Sequence, residues 1–308
     1  LLDSEGKHLC KGIAPSLPDF YNAALDGVEI GLGVGSCGEA AYTAERVIVQ
    51  DIATHPNWAL YSELASRAGL GACWSQPILS PSRQVLGTFA IYHRDKHAPT
   101  EADIYVIEQS ARLASIAIER KQMEDEVRKL AFYDALTELP NRRLLADRLK
   151  QALAASKRKG LYGALLFLDL DNFKPLNDQH GHDYGDLLLK EVARRIRSCV
   201  REVDTVARFG GDEFVVVLSE LVADKTASTT QASMVAEKIR SALAAPYLLS
   251  IQNEGSVETS VEHHCTSSIG AVLFGKQESS ASDILKWADL AMYQAKAAGR
   301  NTVKFYDA

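Results

Sequence analysis

The second half of the chain contains two adjacent glycines and two adjacent acidic residues between two apolar runs. The stretch Arg208–Phe214 reads RFGGDEF and continues directly into the apolar run Val215–Leu218. Glycines permit a tight turn and let a bulky ligand approach the backbone closely, and the apolar flanks predict paired strands. Adjacent carboxylates at such a turn are hard oxygen ligands of the kind that Mg²⁺ prefers. The stretch therefore predicts a hairpin with a metal at its tip, although an ordinary acidic hairpin could contain the same residues.

Three further motifs accompany this hairpin. The apolar run Ala164–Asp171 ends in two aspartates, Asp169 and Asp171, and polar and glycine-containing sequence follows it. Further along the chain, Lys296–Asn301 reads KAAGRN. Together with the stretch Asp134–Arg142, which reads DALTELPNR, these motifs in this order resemble the GGDEF family of diguanylate cyclases. The resemblance covers about residues 130 to 307 and its motifs are highly specific.

The resemblance implies an α/β (α+β) domain with a palm-like sheet related to nucleotidyl cyclases and polymerases. Predicted helices and strands alternate along this part of the chain, as expected for a sheet covered by helices. The family's reaction condenses two GTP molecules into cyclic di-GMP and two pyrophosphates. The resemblance therefore implies GTP as substrate, Mg²⁺ or Mn²⁺ as cofactor, and cyclic di-GMP as product and inhibitor.

The reaction requires a 3′-hydroxyl to attack an α-phosphate, and two Mg²⁺ ions can activate the attacking group and offset the charge of the leaving group. The resemblance implies that Asp169, Asp212, Glu213 and the backbone carbonyl of Leu170 bind metal, with the three acidic residues as catalytic residues. A lone aspartate at the end of a strand is more often a turn or capping residue. Glu213 either binds metal or deprotonates the hydroxyl, and Asp171 either orients the site or binds metal directly.

Seven residues are assigned to GTP through the resemblance. They are Asn172, Phe173, Lys174, Asn177, Asp186, Lys296 and Arg300. Loop N–H groups after the Asp-x-Asp strand are expected to face phosphates. The two cations near the end of the last helix are expected to bind the triphosphate, although cations there also complement the helix dipole.

Guanine recognition is expected at Asn177 and Asp186. A carboxylate accepts from the N1–H and N2–H₂ edge of guanine, and an amide both donates and accepts. This chemistry favours GTP over ATP and argues against an adenylyl cyclase-type enzyme. The structural alternatives are that Asp186 caps its helix and that Asn177 lies in a turn.

Two positions bear on regulation and on local structure. Arg201 and Asp204 form an Arg-x-x-Asp pattern that resembles the family's inhibitory product site, where arginine binds phosphate or the Hoogsteen edge of guanine. The family often has a further arginine near the following helix, where this chain offers Met234 or its neighbours. Glu138 stands where the family usually has glycine, and we expect a small effect on that turn.

Residues 1 to about 100 alternate short strand-like runs with turn residues. The runs include Gly31–Gly35, Arg46–Val49 and Val85–Tyr92, and a helix is predicted near Ser62–Ala68. The order of glycine-rich, apolar and tryptophan-containing segments resembles a GAF sensory domain, with an antiparallel sheet and helices. The family shares a fold and not one ligand, so an unidentified small ligand is expected.

The side chains of this region have two interpretations. Cys37 and Cys73 resemble buried structural cysteines more than redox sensors, because neither has a histidine or cationic neighbour in sequence. Four aromatic residues either line a ligand pocket or pack the core. They are Tyr42, Trp58, Tyr61 and Trp74.

A helical segment from Thr100 to about Leu130 connects the two regions. Its apolar residues fall at spacings of three, seven, four and three: Leu113, Ile116, Met123, Val127 and Leu130. Charged residues surround this stripe, which favours a parallel dimer helix over packing onto its own domain. We predict a GAF domain at 1–100 that is truncated at its start, a signalling helix at 101–130, a GGDEF domain at 131–308, and a homodimer.

The composition excludes several function classes. The net charge is −6, which argues against nonspecific binding to nucleic acid or to an anionic membrane. No apolar run approaches the ~18 residues of a membrane span, and no signal peptide is recognisable. Five scattered cysteines are typical of reduced thiols in a cytoplasmic protein.

A binding module competes with the enzyme as an interpretation. In that case the GGDEF domain binds GTP or cyclic di-GMP and controls a partner such as an EAL phosphodiesterase domain. Family members with endings similar to Lys304–Ala308 often continue into an EAL domain, and the start at Leu1 suggests a fragment of a longer sensor. The intact Asp169, Asp212 and Glu213 favour catalysis.

Overall fold

The computed structural model describes residues 1–10, 12–251, 259–275 and 280–307. The chain divides into two compact units, Leu1–Glu126 and Val127–Ala308. No helix within the described ranges combines the length and the hydropathy that a membrane span requires.

The N-terminal unit contains two antiparallel sheets and short helices. Its elements are β1 (His8–Leu9), α1 (Asp19–Leu25), β2 (Val28–Glu29), α2 (Gly35–Thr43), β3 (Val47–Val49), a 3₁₀ helix (Pro56–Tyr61), α3 (Ser62–Arg67), β4 (Ala72–Leu79) and β5 (Val85–His93). Strands β3, β4 and β5 form one sheet in that order, and β1 pairs with β2. The predicted antiparallel sheet with helices is therefore confirmed.

The start of α2 is tied to the sheet by a small buried network. The Ser36 hydroxyl donates to the Cys73 carbonyl at 3.3 Å and accepts from Trp58 Nε1 at 3.1 Å. The prediction of a strand-like run at Gly31–Gly35 is wrong, because the segment forms a turn that leads into α2. Gly33 and Gly35 have φ angles of 76° and 55°, which a strand does not accommodate.

A 32-residue helix, α4, spans Glu101–Phe132. Its buried residues include Ile107, Ala111 and Ser115, and the Ser115 hydroxyl donates to the Leu79 carbonyl at 2.7 Å. The apolar stripe predicted from the spacing is exposed. Leu113, Ile116, Met123, Val127 and Leu130 have exposed fractions between 57% and 67%.

The C-terminal unit is a mixed sheet covered by helices. Its elements after α4 are α5 (Arg142–Lys159), β6 (Gly163–Asp171), α6 (Phe173–His180), α7 (His182–Cys199), β7 (Thr205–Gly210), β8 (Glu213–Leu218), α8 (Lys225–Ala244), β9 (Tyr247–Ile251), β10 (Thr259–His263), β11 (Thr266–Phe274), α9 (Ala281–Ala297) and β12 (Val303–Phe305). The five-stranded sheet has the order β12-β11-β6-β8-β7, with β6 at its centre. This arrangement confirms the predicted α/β (α+β) class.

Alternation along β6 places its side chains on opposite faces of the sheet. Leu166 and Leu168 pack in the cluster that includes Leu188 of α7 and Ala232 of α8. Leu165 and Phe167 pack in the other cluster, with residues of α5 and α9 such as Leu145 and Ile284. Because both faces are covered, β6 is buried along its whole length, and its last residues carry the polar groups of the site.

Two elements of this unit were not anticipated from the sequence. The sequence predicts a loop after β6, but Phe173–His180 forms α6. Strand β10 pairs with β9 in a separate antiparallel ribbon. The alternation of helices and strands that the sequence predicts for this unit is present.

Candidate active site

The centre of the candidate site is a cross-strand pair of carboxylates. In the antiparallel pairing of β6 with β8, Asp169 lies directly opposite Glu213. Asp212 occupies the turn between β7 and β8, and its carbonyl accepts from the backbone N–H of Leu170 at 3.3 Å. The register thus brings together the two motifs that carry the predicted catalytic acids.

Burial dominates the electrostatics of these two carboxylates, and acidic neighbours add to its effect. Burial raises the pKa of the Asp169 carboxyl, and the charge on Asp212 raises it further, whereas Lys296 opposes the shift. Burial and the charges on Asp169 and Asp212 likewise raise the pKa of Glu213. Like charges placed directly opposite on a sheet are unfavourable unless a cation lies between them.

A lysine forms an ion pair with the Asp169 carboxylate. Lys296 Nζ lies 2.7 Å from Asp169 Oδ2, and both side chains are largely buried. Lys296 is in the last turn of α9. The helix therefore supplies a positive charge to the acidic centre as well as complementing its own dipole.

The donor set is chemically suited to Mg²⁺. Within the described residues, no three His, Cys, Asp or Glu side chains are gathered closely enough to hold an ion by themselves. Mg²⁺ usually takes only one or two carboxylates and completes its octahedron with water and substrate phosphates. The carboxylates of Asp169, Asp212 and Glu213, with the Leu170 carbonyl, supply oxygen donors of that kind.

The predicted phosphate-binding loop is the start of a helix. Asn172 has a left-handed conformation with φ 61° and precedes α6, but its side chain makes no capping hydrogen bond. Phe173 and Lys174 lie in the first turn of α6 and not in the predicted loop. Helix N-termini present free N–H groups to anions, so the predicted role is compatible with the observed conformation.

The two predicted guanine-reading residues lie on neighbouring helices, α6 and α7. Asn177 Oδ1 is buried and has no hydrogen-bond partner among the described residues. Gly185 lies against this side chain: a Cβ built on Gly185 would be 1.9 Å from Asn177 Oδ1. Gly181 is the N-cap of α7, which excludes the alternative that Asp186 caps it, and Asn177 lies within α6 and not in a turn.

The turn after α9 has an unusual backbone. Arg300 and Asn301 have φ angles of 62° and 46°, in the left-handed region, and Gly299 has φ 107°. Arg300 is exposed. The backbone N–H of Asn301 donates to Asp171 Oδ2 at 3.1 Å, and its side-chain oxygen accepts from Arg240 Nη1 at 2.8 Å. The turn therefore holds a second cation of the KAAGRN motif at the surface.

The proposed inhibitory pair forms an ion pair. Arg201 Nη2 lies 3.1 Å from Asp204 Oδ1 and donates to the Ser219 carbonyl at 2.8 Å. The Asp204 side chain is 2% exposed, whereas that of Arg201 is 57% exposed. Met234, which is 68% exposed, lines the same surface groove as Arg201. An apolar side chain therefore stands in this groove, where the family often offers a second arginine.

Sequence reasoning missed the role of Arg208. Its guanidinium donates to the Gly211 carbonyl and to Asp134, which belong to two motifs far apart in sequence. No local pattern links these positions, so only the fold could bring them together. The exposed turn at Glu138 has φ 56°, which explains why glycine is usual there.

The N-terminal unit has a small, mainly apolar cavity between α1, α2 and the sheet. It is lined by Tyr21, Cys37, Trp58, Tyr61, Tyr92 and eight other residues. Tyr42, expected as a lining or core residue, is 59% exposed. Cys37 Sγ lies 3.5 Å from Tyr92 Oη, and contact with Cys73 and Tyr92 lowers the pKa of the Cys37 thiol. All five cysteines are free.

Comparisons with known proteins identify the family of each part of the chain. The profile of the family "Diguanylate cyclase, GGDEF domain" matches residues 131–302, and that of the GAF domain matches residues 1–119. The chain is 40% identical over 197 residues to MucR of Pseudomonas aeruginosa, a bifunctional diguanylate cyclase/cyclic di-GMP phosphodiesterase. That match covers 64% of this chain and 27% of MucR. Diguanylate cyclase A of Treponema denticola is 34% identical, with 67% of this chain and 52% of that protein covered.

Solved structures of GGDEF domains share the fold of the C-terminal unit. The GGDEF domain of TpbB from Pseudomonas aeruginosa is 38% identical, with a TM-score of 0.50 over 57% of this chain and 94% of that one. The coiled coil and GGDEF domain of DgcB from Caulobacter crescentus, solved with c-di-GMP, is 29% identical. Its TM-score is 0.53 over 64% of this chain and 98% of that one. The chain thus belongs to the GGDEF family of diguanylate cyclases, with a GAF domain preceding the GGDEF domain.

Proposed function

We propose that this chain is a diguanylate cyclase that condenses two GTP molecules into cyclic di-GMP and two pyrophosphates. The observation that carries the proposal is the register that sets Asp169 opposite Glu213, with Lys296 2.7 Å from Asp169. A consumer of GTP is expected in the cytoplasm. The chain spans only 27% of MucR and 52% of diguanylate cyclase A, so their activities are carried over here as proposals.

Each acidic residue has an assigned role in the proposed reaction. Asp169, Asp212, Glu213 and the Leu170 carbonyl would hold Mg²⁺ or Mn²⁺. When bound, the ion would supply positive charge that lowers the pKa of the attacking 3′-hydroxyl and stabilises the departing pyrophosphate. Glu213, whose pKa is raised by burial and by its acidic neighbours, also accepts the proton of that hydroxyl.

The substrate is held by three groups of residues. The N–H groups at the start of α6, next to Asn172, Phe173 and Lys174, bind phosphate oxygens. Lys296 and Arg300 bind the β- and γ-phosphates. The unpartnered Oδ1 of Asn177 and the exposed carboxylate of Asp186 read the donor edge of guanine, which favours GTP over ATP.

The reaction requires two such domains facing each other, because each binds one GTP. The stripe on α4 supports a parallel homodimer through this helix, since its five large apolar residues stay at least 57% exposed in the part of the chain that the structure describes. We expect the initial rate to rise faster than linearly with protein concentration near the dimer dissociation constant. Strict proportionality across a demonstrated monomer–dimer transition would refute the dimer requirement.

Two regulatory inputs complete the proposal. A small ligand of the GAF domain biases the geometry of the dimer through α4. Cyclic di-GMP inhibits by binding at Arg201 and Asp204, where the ion pair holds the guanidinium at the surface. Arg201→Ala is expected to relieve inhibition by added cyclic di-GMP, and unchanged inhibition would count against this site.

The deciding experiment is incubation of the purified chain with GTP and Mg²⁺, followed by chromatography of the products. We expect cyclic di-GMP and pyrophosphate, and a loss of at least ~100-fold in turnover for Glu213→Gln. Glu63→Gln, which removes an exposed carboxylate of α3 in the N-terminal unit, serves as the matched control and is expected to retain full activity. Full turnover by Glu213→Gln would refute the proposed role of Glu213.

A regulatory module is the second candidate function. It is favoured by the bifunctional MucR and by NbdA of Pseudomonas aeruginosa, a cyclic di-GMP phosphodiesterase that is 32% identical over 242 residues. In that case the chain would bind GTP or cyclic di-GMP without converting GTP, and would control a phosphodiesterase partner. The same incubation separates the two functions, because binding without product indicates the module.

A further inference from the structure

Asp171 is a buried carboxylate that the proposed chemistry does not use. It lies two residues beyond Asp169 on β6 and is 3% exposed. Its Oδ2 accepts from the Thr266 hydroxyl at 2.7 Å and from the backbone N–H of Asn301 at 3.1 Å. Its Oδ1 accepts from the Ser268 hydroxyl at 2.8 Å.

These contacts engage both oxygens of the carboxylate. A carboxylate offers about four lone-pair positions, and three of them are used here by neutral donors. Burying a charge is costly unless such donors surround it. The geometry therefore favours orientation of neighbouring segments over direct metal binding by Asp171.

The three donors come from two segments besides β6. Thr266 and Ser268 lie on β11, and Thr266 is directly opposite Asp171 in the antiparallel pairing. Asn301 belongs to the turn after α9, next to Arg300. Both residues of this turn have left-handed backbone conformations, which non-glycine residues adopt only when the surroundings hold them.

We propose that Asp171 is a positioning residue that fixes the Arg300–Asn301 turn and so aims Arg300 at the terminal phosphate of GTP. The inference rests on the proposed function, because it assumes that Arg300 binds the triphosphate. Its consequence is specificity for the triphosphate. Loss of the Asp171 contacts weakens binding of GTP while leaving binding of GDP, which lacks the terminal phosphate, nearly unchanged.

The test is a comparison of affinities for an α,β-methylene analogue of GTP and for GDP, each measured calorimetrically with Mg²⁺. Asp171→Asn should lower the affinity for the analogue about tenfold, and the milder Ser268→Ala should lower it about threefold, because charge-assisted hydrogen bonds are lost. The affinity for GDP is expected to change by less than about twofold in both variants. Arg300→Ala is expected to show the same pattern. The double variant Arg300→Ala/Asp171→Asn is expected to bind the analogue almost as well as Arg300→Ala alone.

The chain offers a matched control on the same strand. Ser267 is also fully buried, but its hydroxyl has no hydrogen-bond partner among the described residues, and it faces the opposite side of β11 from Ser268. Ser267→Ala removes a hydroxyl of the same size without touching Asp171. We expect its affinities for both nucleotides to equal those of the unmodified protein.

Several outcomes would overturn the inference. Equal weakening of the analogue and of GDP would indicate a general structural role, and full additivity with Arg300→Ala would show that Asp171 does not act through that residue. If Asp171→Asn does not fold, Ser268→Ala decides by the same criteria. Failure of the unmodified chain to bind either nucleotide would overturn the proposed function together with this inference, whereas unchanged selectivity in the variants would overturn the inference alone.

Discussion

Arg208 joins Asp134 to the turn that carries the catalytic acids. Its Nη1 lies 3.1 Å from each carboxylate oxygen of Asp134, and its Nε and Nη2 donate to the Gly211 carbonyl at 3.0 and 2.8 Å. Asp134 follows the end of α4 by two residues, and Gly211 precedes Asp212 in the hairpin tip. One planar side chain thus fixes the segment after the long helix against the acidic turn.

Replacing this arginine tests the connection. Arg208→Lys keeps the charge, but an ammonium group cannot donate to Asp134 and to the Gly211 carbonyl at the same time with the geometry of a guanidinium. We therefore expect the free energy of unfolding to fall by about 2 kcal/mol. Turnover is expected to fall about tenfold, because Asp212 lies on the released turn. Arg194→Lys, at an exposed pair with Glu191, is the control and should change neither quantity appreciably.

The ionisation of Asp134 makes the stability of the fold depend on pH. Burial alone would raise its pKa, but hydrogen bonds from Thr137 and Arg208 hold the pKa below the ordinary value of 3.8. Since the folded state then binds fewer protons than the unfolded state, Asp134 stabilises the fold above that value and loses this contribution as pH falls through its lowered pKa. We expect the stability difference between the unmodified chain and Asp134→Asn to shrink below about pH 4. A pH-independent difference in denaturant titrations would contradict this.

Glu138 is a site for stabilisation. Its φ of 56° costs a non-glycine residue about 1–2 kcal/mol. Glycine removes this cost, but it loses more conformational entropy on folding, which offsets part of the gain in stability. Glu138→Gly is therefore expected to raise the free energy of unfolding by about 0.5–1 kcal/mol. The measurement is chemical denaturation, with Glu202→Gly as a control at another exposed position of the unit, where φ is not positive and no gain is expected.

The acidic centre is expected to lower the stability of the metal-free protein. Glu213 is repelled by Asp169 and Asp212 in a partly buried setting, so Glu213→Gln should raise the melting temperature in a chelator by about 2 °C. Addition of Mg²⁺ should stabilise the unmodified chain and have a smaller effect on the variant. A lower melting temperature for Glu213→Gln in chelator would show that the repulsion is already relieved by other contacts.

Gly185 is expected to be required for guanine recognition. A methyl group there would lie 1.9 Å from Asn177 Oδ1, so Gly185→Ala displaces that side chain or shifts α6 against α7. We expect GTP affinity to fall about tenfold or more, by calorimetry with a nonhydrolysable analogue. In an Asn177→Ala background the same substitution should cost much less. Equal losses in both backgrounds would mean that the methyl group acts on the helices and not on Asn177.

Some of this organisation follows directly from local sequence. The alternation of apolar runs predicts β6, β7 and β8, and the glycines predict the turn between the last two. The sequence does not predict α6, because this helix has only eight residues and is largely polar. The alternation of glycines and apolar residues at Gly31–Gly35 is also typical of a strand. No strand forms there, because Gly33 and Gly35 have positive φ angles.

The motifs and their chemistry were determined by the sequence alone: which side chains are acids, cations or amides, and which short elements carry them. Tertiary structure decided which of them meet. The opposition of Asp169 and Glu213, the bridge from Arg208 to Asp134 and the hydrogen bonds of Asp171 all join residues at least 44 positions apart. Such contacts depend on strand register and on helix packing across the whole sheet, and no local periodicity encodes that information.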